Sequence, residues 1–184
     1  MRNDKAYYST TCNSPIGLLT LASDGANLLG LWMKGQKYHG STTFKNMVEN
    51  RDIPVFCATR KWLDRYFAGE EPTASELPLA PIGSEFRQKV WRILCDIPYG
   101  KVITYGSIAK ILAVKMNKER MSSQAIGGAV GHNPVSIIIP CHRVVGSDGN
   151  LTGYAGGIAA KIKLLELEAA DMSQLFIPRK GSAL

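Results

Sequence analysis

The chain has 184 residues, enough for one large or two small domains, and 45% of them are hydrophobic, enough to form a core. Its formal net charge of +7 favours a polyanionic partner. The four cysteines lie far apart, and we see neither a secretory signal nor an apolar run near the roughly eighteen residues of a membrane span. These features argue against a disulfide framework and against membrane contact, so we expect a cytoplasmic protein.

The first part of the chain predicts a small antiparallel sheet followed by a helix. Residues 7–33 hold three short apolar segments separated by two turns. Residues 59–68 have aromatic and aliphatic side chains at helical spacing, which predicts a helix with a buried face. The proline-containing stretch 70–83 is typical of a linker. We therefore place a first domain, with its linker, at residues 1–83.

The second part predicts mainly helices. Ser84 is a predicted N-cap, and two further short helices follow at 104–112 and 122–131. Two short helices separated by a turn indicate a helix-turn-helix. We place this second domain at residues 84–172 and leave 173–184 as a tail without an assigned role.

Positive charge is concentrated in the second half. Residues 84–184 carry 13 basic and 7 acidic side chains. This excess favours a surface that faces phosphates, with an ordinary solvated helix face as the alternative.

The helix predicted at 122–131 contains Gly127, Gly128 and Gly131. Each glycine costs a helix about 1 kcal/mol relative to alanine. Such a helix suits close approach to a narrow DNA groove or tight packing on a neighbouring element. The residues alone do not decide between these two explanations.

The most informative motif joins the apolar run 137–139 to Pro140, Cys141 and His142. We interpret the run as a buried strand that ends at the proline and presents a nucleophile at the edge of the core. The reactive form of cysteine is the thiolate, and an adjacent histidine can take the proton. The alternative is an inert buried thiol beside a surface imidazole.

The second half resembles the O6-alkylguanine-DNA alkyltransferase (methylated-DNA–protein-cysteine methyltransferase) family. The motifs that carry the resemblance lie within residues 86–168: Thr104-Tyr105, Gly127-Gly128-Ala129, Asn133-Pro134, Pro140-Cys141-His142-Arg143-Val144, Tyr154-Ala155-Gly156-Gly157 and residues 164–168. Residues 14–17 and 62–67 are similar to the first domain of the family. The resemblance implies a ribonuclease-H-like α/β domain, followed by a mostly α-helical domain with a helix-turn-helix and the active site.

The resemblance also implies the chemistry. Cys141 would take the alkyl group from O6 of an alkylguanine in double-stranded DNA, irreversibly and in a single turnover, with O4-alkylthymine as a further candidate substrate. His142 would receive the Cys141 proton through a water and would itself be polarised by Glu168. Asn133 would brace the turn between the recognition helix and the active site. No cofactor or metal is implied, and we expect a monomer.

The remaining site residues follow from the same resemblance. The residues expected to bind the flipped guanine are Tyr105, Val144, Tyr154, Ala155 and Gly156. The residues expected at the DNA surface are Thr104, Arg120, Gln124, Ala125, Gly127, Gly128, Ala129 and Arg143. Gln124 departs from the family pattern, because many members have an intercalating arginine there. Glutamine lacks the charge and the stacking plane of arginine, so we expect Arg120 or a neighbouring residue to compensate partly through phosphate contacts.

Three other functions compete with this interpretation. A lesion-binding sensor of the alkyltransferase-like kind would lack the acceptor cysteine, which is present here. A cysteine hydrolase generally draws its cysteine and histidine from distant positions in the sequence. A transcription factor with an incidental cysteine would need more base-edge donors than the apolar helix at 122–131 offers.

Overall fold

The computed structural model describes residues 6–38 and 47–178, which form two compact units. The first unit runs to Ile82 and also includes Pro134–Ile138. The second contains Gly83–Asn133 and continues from Ile139. None of the helices described is long and apolar enough to cross a bilayer.

The first unit contains a four-stranded sheet. Its strands are β1 (Tyr8–Ser14), β2 (Gly17–Ser23), β3 (Leu28–Met33) and β4 (Val48–Glu49), in the order β3-β2-β1-β4. Strands β1, β2 and β3 pair antiparallel as predicted, but β4 pairs parallel to β1 and makes the sheet mixed. Two residues with exposed side chains carry no detectable alternation, so the sequence gives no sign of β4.

Helix α1 (Pro54–Phe67) packs an aromatic face into the core of the first unit. The prediction began this helix five residues late, because it did not use Pro54, which suits the first turn of a helix. Trp62 stacks on Tyr66 with ring centroids 5.4 Å apart, and both are buried. The indole of Trp62 donates to the carbonyl of Thr73 at 2.8 Å. The prediction that these aromatics belong to the core is confirmed.

The apolar run before Cys141 is not a strand. Ile137 has a positive φ of 71°, a conformation unusual for a β-branched residue, and the run forms turns. Only the residues just before it pair with the sheet: the N–H of Leu31 donates to Pro134 at 2.8 Å, and the N–H of Ser136 donates to Leu31 at 2.9 Å. The run is buried as predicted, but its burial comes from compact turns rather than from an extended strand.

The second unit is mainly helical. Its elements are α2 (Glu85–Cys95), β5 (Ile103–Thr104), α3 (Tyr105–Lys115), α4 (Ser123–Gly131), β6 (Val144–Val145) and α5 (Ile158–Leu167), with β5 and β6 parallel. The hydroxyls of Ser84, Thr104 and Ser122 cap α2, α3 and α4. The indole of Trp91 in α2 donates to the carbonyl of Ala129 in α4 at 2.9 Å, which fixes the inner side of α4.

The segment after α5 packs onto the second unit as far as the structure describes it. The N–H of Leu151 donates to the carbonyl of Phe176 at 2.9 Å, and the N–H of Phe176 donates to Gly149 at 3.2 Å. Met172 and Leu175 pack on a buried apolar cluster that includes Leu151. The sequence assigned no role to residues 173–184, yet the structure places Phe176 beside the 146–153 loop.

Candidate active site

Cys141 lies at the start of a short 3₁₀ turn, Cys141–Arg143, directly after Pro140. Its side chain is only 4% exposed. The side-chain amide of Asn133 donates both to the carbonyl of Ile139 at 2.8 Å and to the sulfur of Cys141 at 3.0 Å. One amide therefore supports the turn and the sulfur together.

The resting form of Cys141 is the thiol. Burial raises the pKa of Cys141 to about 11, against the hydrogen bond from Asn133 and the positive charge of Lys161. A thiol with this pKa holds its proton at neutral pH, so reaction requires a nearby base.

That base is available in His142, which is fully buried. Its Nε2 lies 2.7 Å from Oε1 of Glu168. Burial raises the pKa of Glu168, but the hydrogen bonds from His142 and Arg143 more than reverse this and bring it to about 2. A carboxylate only accepts hydrogen bonds, so Nε2 carries the hydrogen and Nδ1 is the nitrogen that can accept a proton. Burial lowers the pKa of His142, which keeps the ring neutral and leaves Nδ1 without a proton.

Glu168 is itself held by Arg143. The guanidinium donates from Nε to Oε2 at 2.8 Å and from Nη2 to Oε1 at 2.9 Å, the two-pronged geometry that favours this pair. Its Nη1 donates to the carbonyl of Ile97 at 2.5 Å, and Gly100 N–H donates to Glu168 at 3.2 Å. The prediction that Arg143 contacts DNA is wrong for this structure, because its side chain is about 10% exposed and engaged inside the unit.

Lys161 belongs to the site, although sequence reasoning missed it. It is fully buried in α5, and its ammonium donates to the carbonyls of Val144 at 2.6 Å and Thr152 at 3.2 Å. Burial lowers the pKa of Lys161 to about 8, with the Cys141 thiolate acting in the opposite direction. The sequence pattern could have predicted this burial. Leu164, Leu165 and Glu168 follow Lys161 by three, four and seven residues, which places all four on the inward face of a helix.

The residues assigned to guanine lie around the 152–156 segment. Tyr105 donates its hydroxyl to the carbonyls of Thr152 and Gly153, each at 3.4 Å. Gly153 has a φ of +85°, and a Cβ there would collide with the Tyr105 hydroxyl, so glycine is required. The ring of Tyr154 meets His142 edge-on, with centroids 6.3 Å apart. Ala155 and Gly156 follow in a half-buried turn, and Val144 lies in β6 with its carbonyl bound by Lys161.

A groove of about 620 Å³ lies beside α4 within the second unit. Four of the residues predicted to bind guanine or DNA line this groove: Tyr105, Gln124, Gly127 and Gly128. The other lining residues are serines, glycines, an asparagine and a threonine. No residue lining this groove is charged. The groove therefore offers shape and neutral hydrogen-bonding groups rather than charge.

The other predicted DNA residues lie elsewhere. Thr104 uses its hydroxyl to cap α3, accepting from Ser107 N–H at 3.0 Å. Ala125 and Arg120 are exposed outside the groove, Arg120 in the connection between α3 and α4. Ala129 is buried with its carbonyl bound to Trp91, so the prediction that Ala129 contacts DNA is wrong.

The glycines of α4 are not explained by tight packing. In the part of the chain that the structure describes, a Cβ on Gly128 would meet no atom of another element within 4 Å. A Cβ on Gly127 would meet only the ring of Tyr105, at 4.0 Å, an ordinary contact. Of the two explanations that the sequence left open, tight packing on a neighbouring element does not account for Gly127 or Gly128.

Two family models cover most of the chain. The 6-O-methylguanine DNA methyltransferase ribonuclease-like domain matches residues 6–81, and the DNA binding domain of the same family matches residues 85–170. The chain belongs to this family. Named relatives agree: methylated-DNA–protein-cysteine methyltransferases of Haemophilus influenzae and Methanosarcina acetivorans are each 42% identical, over 89% of this chain and over 87% and 99% of their own.

Solved structures of the family share the fold. The crystal structure of Mycobacterium tuberculosis OGT in complex with DNA is 40% identical, has a TM-score of 0.74 and covers 91% of this chain and 94% of its own. Mycobacterium tuberculosis O6-methylguanine methyltransferase is 41% identical with a TM-score of 0.75, over 95% and 96% of the two chains. The ribonuclease-like first domain and the DNA-binding second domain are therefore those of the family.

Proposed function

We propose that this protein repairs alkylated DNA by moving the alkyl group from O6 of guanine to Cys141. The observation that carries the proposal is a buried set of four residues in which Asn133 contacts the Cys141 sulfur at 3.0 Å and the adjacent His142 contacts Glu168 at 2.7 Å. A saturated alkyl carbon is best attacked by a soft, charged nucleophile, which a thiolate supplies.

The atoms balance without a cofactor. The Cys141 proton passes through a water to Nδ1 of His142, and the resulting imidazolium is stabilised by Glu168. The sulfur then bonds to the alkyl carbon while the bond from that carbon to O6 breaks, and its electron pair stays on guanine, which takes up one proton. A thioether has no easy reverse reaction, so each molecule acts once. O4-alkylthymine, which presents a comparable alkyl–oxygen bond, is a second candidate substrate.

The groove beside α4 would receive the DNA. In this proposal α3 and α4 form a helix-turn-helix, and Gly127 and Gly128 let the phosphodiester backbone approach closely. The base must leave the stack to reach a buried sulfur, and an alkylated guanine pairs poorly and so costs less to extrude. Tyr105, Tyr154 and the backbone of Val144, Ala155 and Gly156 would then contact the guanine.

The positive charge of the second half would supply phosphate contacts from outside the groove. Arg120 is exposed in the connection between α3 and α4, and no residue of the groove lining is charged. We assign Arg120 part of the role that an intercalating arginine would have at Gln124. The proposal keeps the domain boundary between residues 83 and 84 and the ribonuclease-H-like topology of the first domain. A monomer suffices, since all members of the relay belong to one unit of one chain.

The test is transfer from a duplex oligonucleotide that carries one O6-methylguanine. We expect one methyl group per protein molecule, located on Cys141 by peptide mass mapping, and none on a Cys141→Ala variant that still binds the duplex. Binding without transfer would refute the proposal and identify a lesion sensor.

A further inference from the structure

The hydroxyl of Tyr154 is buried without a hydrogen-bond partner among residues 6–38 and 47–178. The side chain is 6% exposed, so bulk water does not satisfy the group either. A buried polar group left in this way costs free energy, and natural proteins seldom keep one without a bound water or ligand to explain it.

The position of Tyr154 links it to the proton relay. Its ring meets the ring of His142 edge-on, with an interplanar angle of 81°. Burial raises the pKa of Tyr154, and the nearby charges of Cys141 and Glu168 raise it further. The phenol therefore stays protonated at neutral pH, with its ring packed edge-on against that of His142.

We infer that the Tyr154 hydroxyl holds the water that carries the proton from Cys141 to His142, an inference that rests on the proposed function. The water accepts the hydrogen of the Cys141 thiol, donates one hydrogen to Nδ1 of His142 and donates the other to the phenolic oxygen. Buried waters typically make about three hydrogen bonds, and Cys141 and His142 supply only two. Tyr154 is thus a positioning residue for proton transfer, in addition to its place beside the guanine.

Ionisable groups from several elements surround this path and contribute to the pH dependence of methyl transfer. They are Tyr105 at the start of α3, Cys141, His142 and Arg143 in the 3₁₀ turn, and Lys161 and Glu168 in and after α5. Glu168, paired with Arg143, has a pKa of about 2, and burial raises the pKa of Tyr105 to about 12, so neither Glu168 nor Tyr105 titrates near neutrality. Lys161 has a pKa of about 8 and is present in both wild type and Tyr154→Phe, so we expect its titration to affect the two proteins alike.

The test compares single-turnover methyl transfer by wild type and Tyr154→Phe at saturating duplex DNA between pH 6 and pH 10. We expect the variant to be slower by on the order of tenfold near neutral pH, a fraction of the hundredfold or more that positioned proton transfer supplies. The deficit should shrink as pH rises, because hydroxide then removes the thiol proton without the relay. A merely structural role would instead lower the rate by one factor at every pH or weaken DNA binding.

Tyr66→Phe is the matched control, because it removes the hydroxyl of another fully buried tyrosine, in α1 of the first unit. We expect its rate profile to equal that of wild type. The melting temperature of Tyr154→Phe should not fall, since its hydroxyl makes no bond within the described chain.

The outcomes separate the two proposals. Equal rates for wild type and Tyr154→Phe, a deficit constant with pH, or a Tyr154→Phe protein that fails to fold would each overturn this inference and leave the proposed function standing. Absence of transfer by wild type would overturn the proposed function itself.

Discussion

The interior around Cys141 and the groove beside α4 belong to the same unit, yet they differ in their content of charged residues. The interior contains His142, Arg143, Lys161 and Glu168, all nearly or fully buried. The groove has no charged residue in its lining and exposes Gly128. In the proposed function, the chemistry uses charged groups buried away from water, whereas DNA approaches a groove lined without charge and in part by glycines.

The largest effect should follow from Glu168→Gln, because it leaves the Arg143 guanidinium buried without its counter-charge. Breaking a buried pair typically costs about 3–5 kcal/mol, so we expect the free energy of unfolding to fall by about that amount. The imidazolium also loses its stabilising anion, and transfer should slow by on the order of a hundredfold. Urea unfolding and single-turnover kinetics measure the two effects. Glu166→Gln, an exposed position in α5, should change neither.

The same interior should make stability depend on acid. The pKa of Glu168 is about 2, below the roughly 4.3 expected for an unfolded chain, so its contribution is complete above pH 4.3 and is lost as pH falls toward 2. His142 also has a lowered pKa, so the unfolded chain gains a proton first as pH drops below about 6.5, which again destabilises the fold. We expect the midpoint of urea unfolding to decline from about pH 6.5 downward. A Glu168→Gln protein that declined as steeply below pH 4.3 would contradict this assignment.

In the groove, Gly128→Ala should raise the free energy of unfolding, whereas Glu168→Gln in the interior should lower it. The added Cβ meets no other element, so helix propensity should raise the free energy of unfolding by about 0.5–1 kcal/mol. If DNA approaches the backbone here, the same methyl group should weaken duplex binding severalfold. Gly131→Ala provides the control, since it is also in α4 with open space around its Cβ but lies outside the groove lining. Equal DNA affinity for the two variants would argue against close approach at Gly128.

The smallest effect should come from adding charge to the groove with Gln124→Arg. We expect tighter duplex binding, with a dependence on salt steeper by about one phosphate contact. Gln124→Lys adds the charge without the stacking plane, so a greater gain for arginine in transfer rate would isolate the contribution of stacking. Arg120→Ala should make the salt dependence shallower by a similar amount. An unchanged salt slope would remove Arg120 from the DNA surface.

Local rules made much of the second unit predictable. Ser84 was predicted to cap a helix, and its hydroxyl accepts from Arg87 N–H at 3.4 Å, so that prediction is confirmed. The placement of His142 beside Glu168 came only from the family resemblance, because 26 residues separate them and no periodicity joins them. Arg143 was misassigned for the same reason, since a basic residue in sequence gives no indication of a buried partner.

Backbone conformation also limited how much of the fold could be predicted from the sequence. The run before Cys141 has the composition of a buried strand, but Ile137 adopts a positive φ, which composition does not reveal. The segment after α5 was also opaque, since its pairing with Gly149 and Leu151 depends on main-chain hydrogen bonds rather than on side-chain pattern.

The four cysteines differ in solvent exposure, and this difference affects which alkyl groups can reach each thiol. Cys95 is exposed and Cys12 and Cys57 are half-buried, whereas Cys141 is buried. Cys141 is therefore the least accessible of the four thiols to a small electrophile in solution. If Cys141 is the acceptor, as proposed, its burial shields a thiol that reacts only once from small alkylating reagents in solution and leaves it to alkyl groups carried on a base that enters the site.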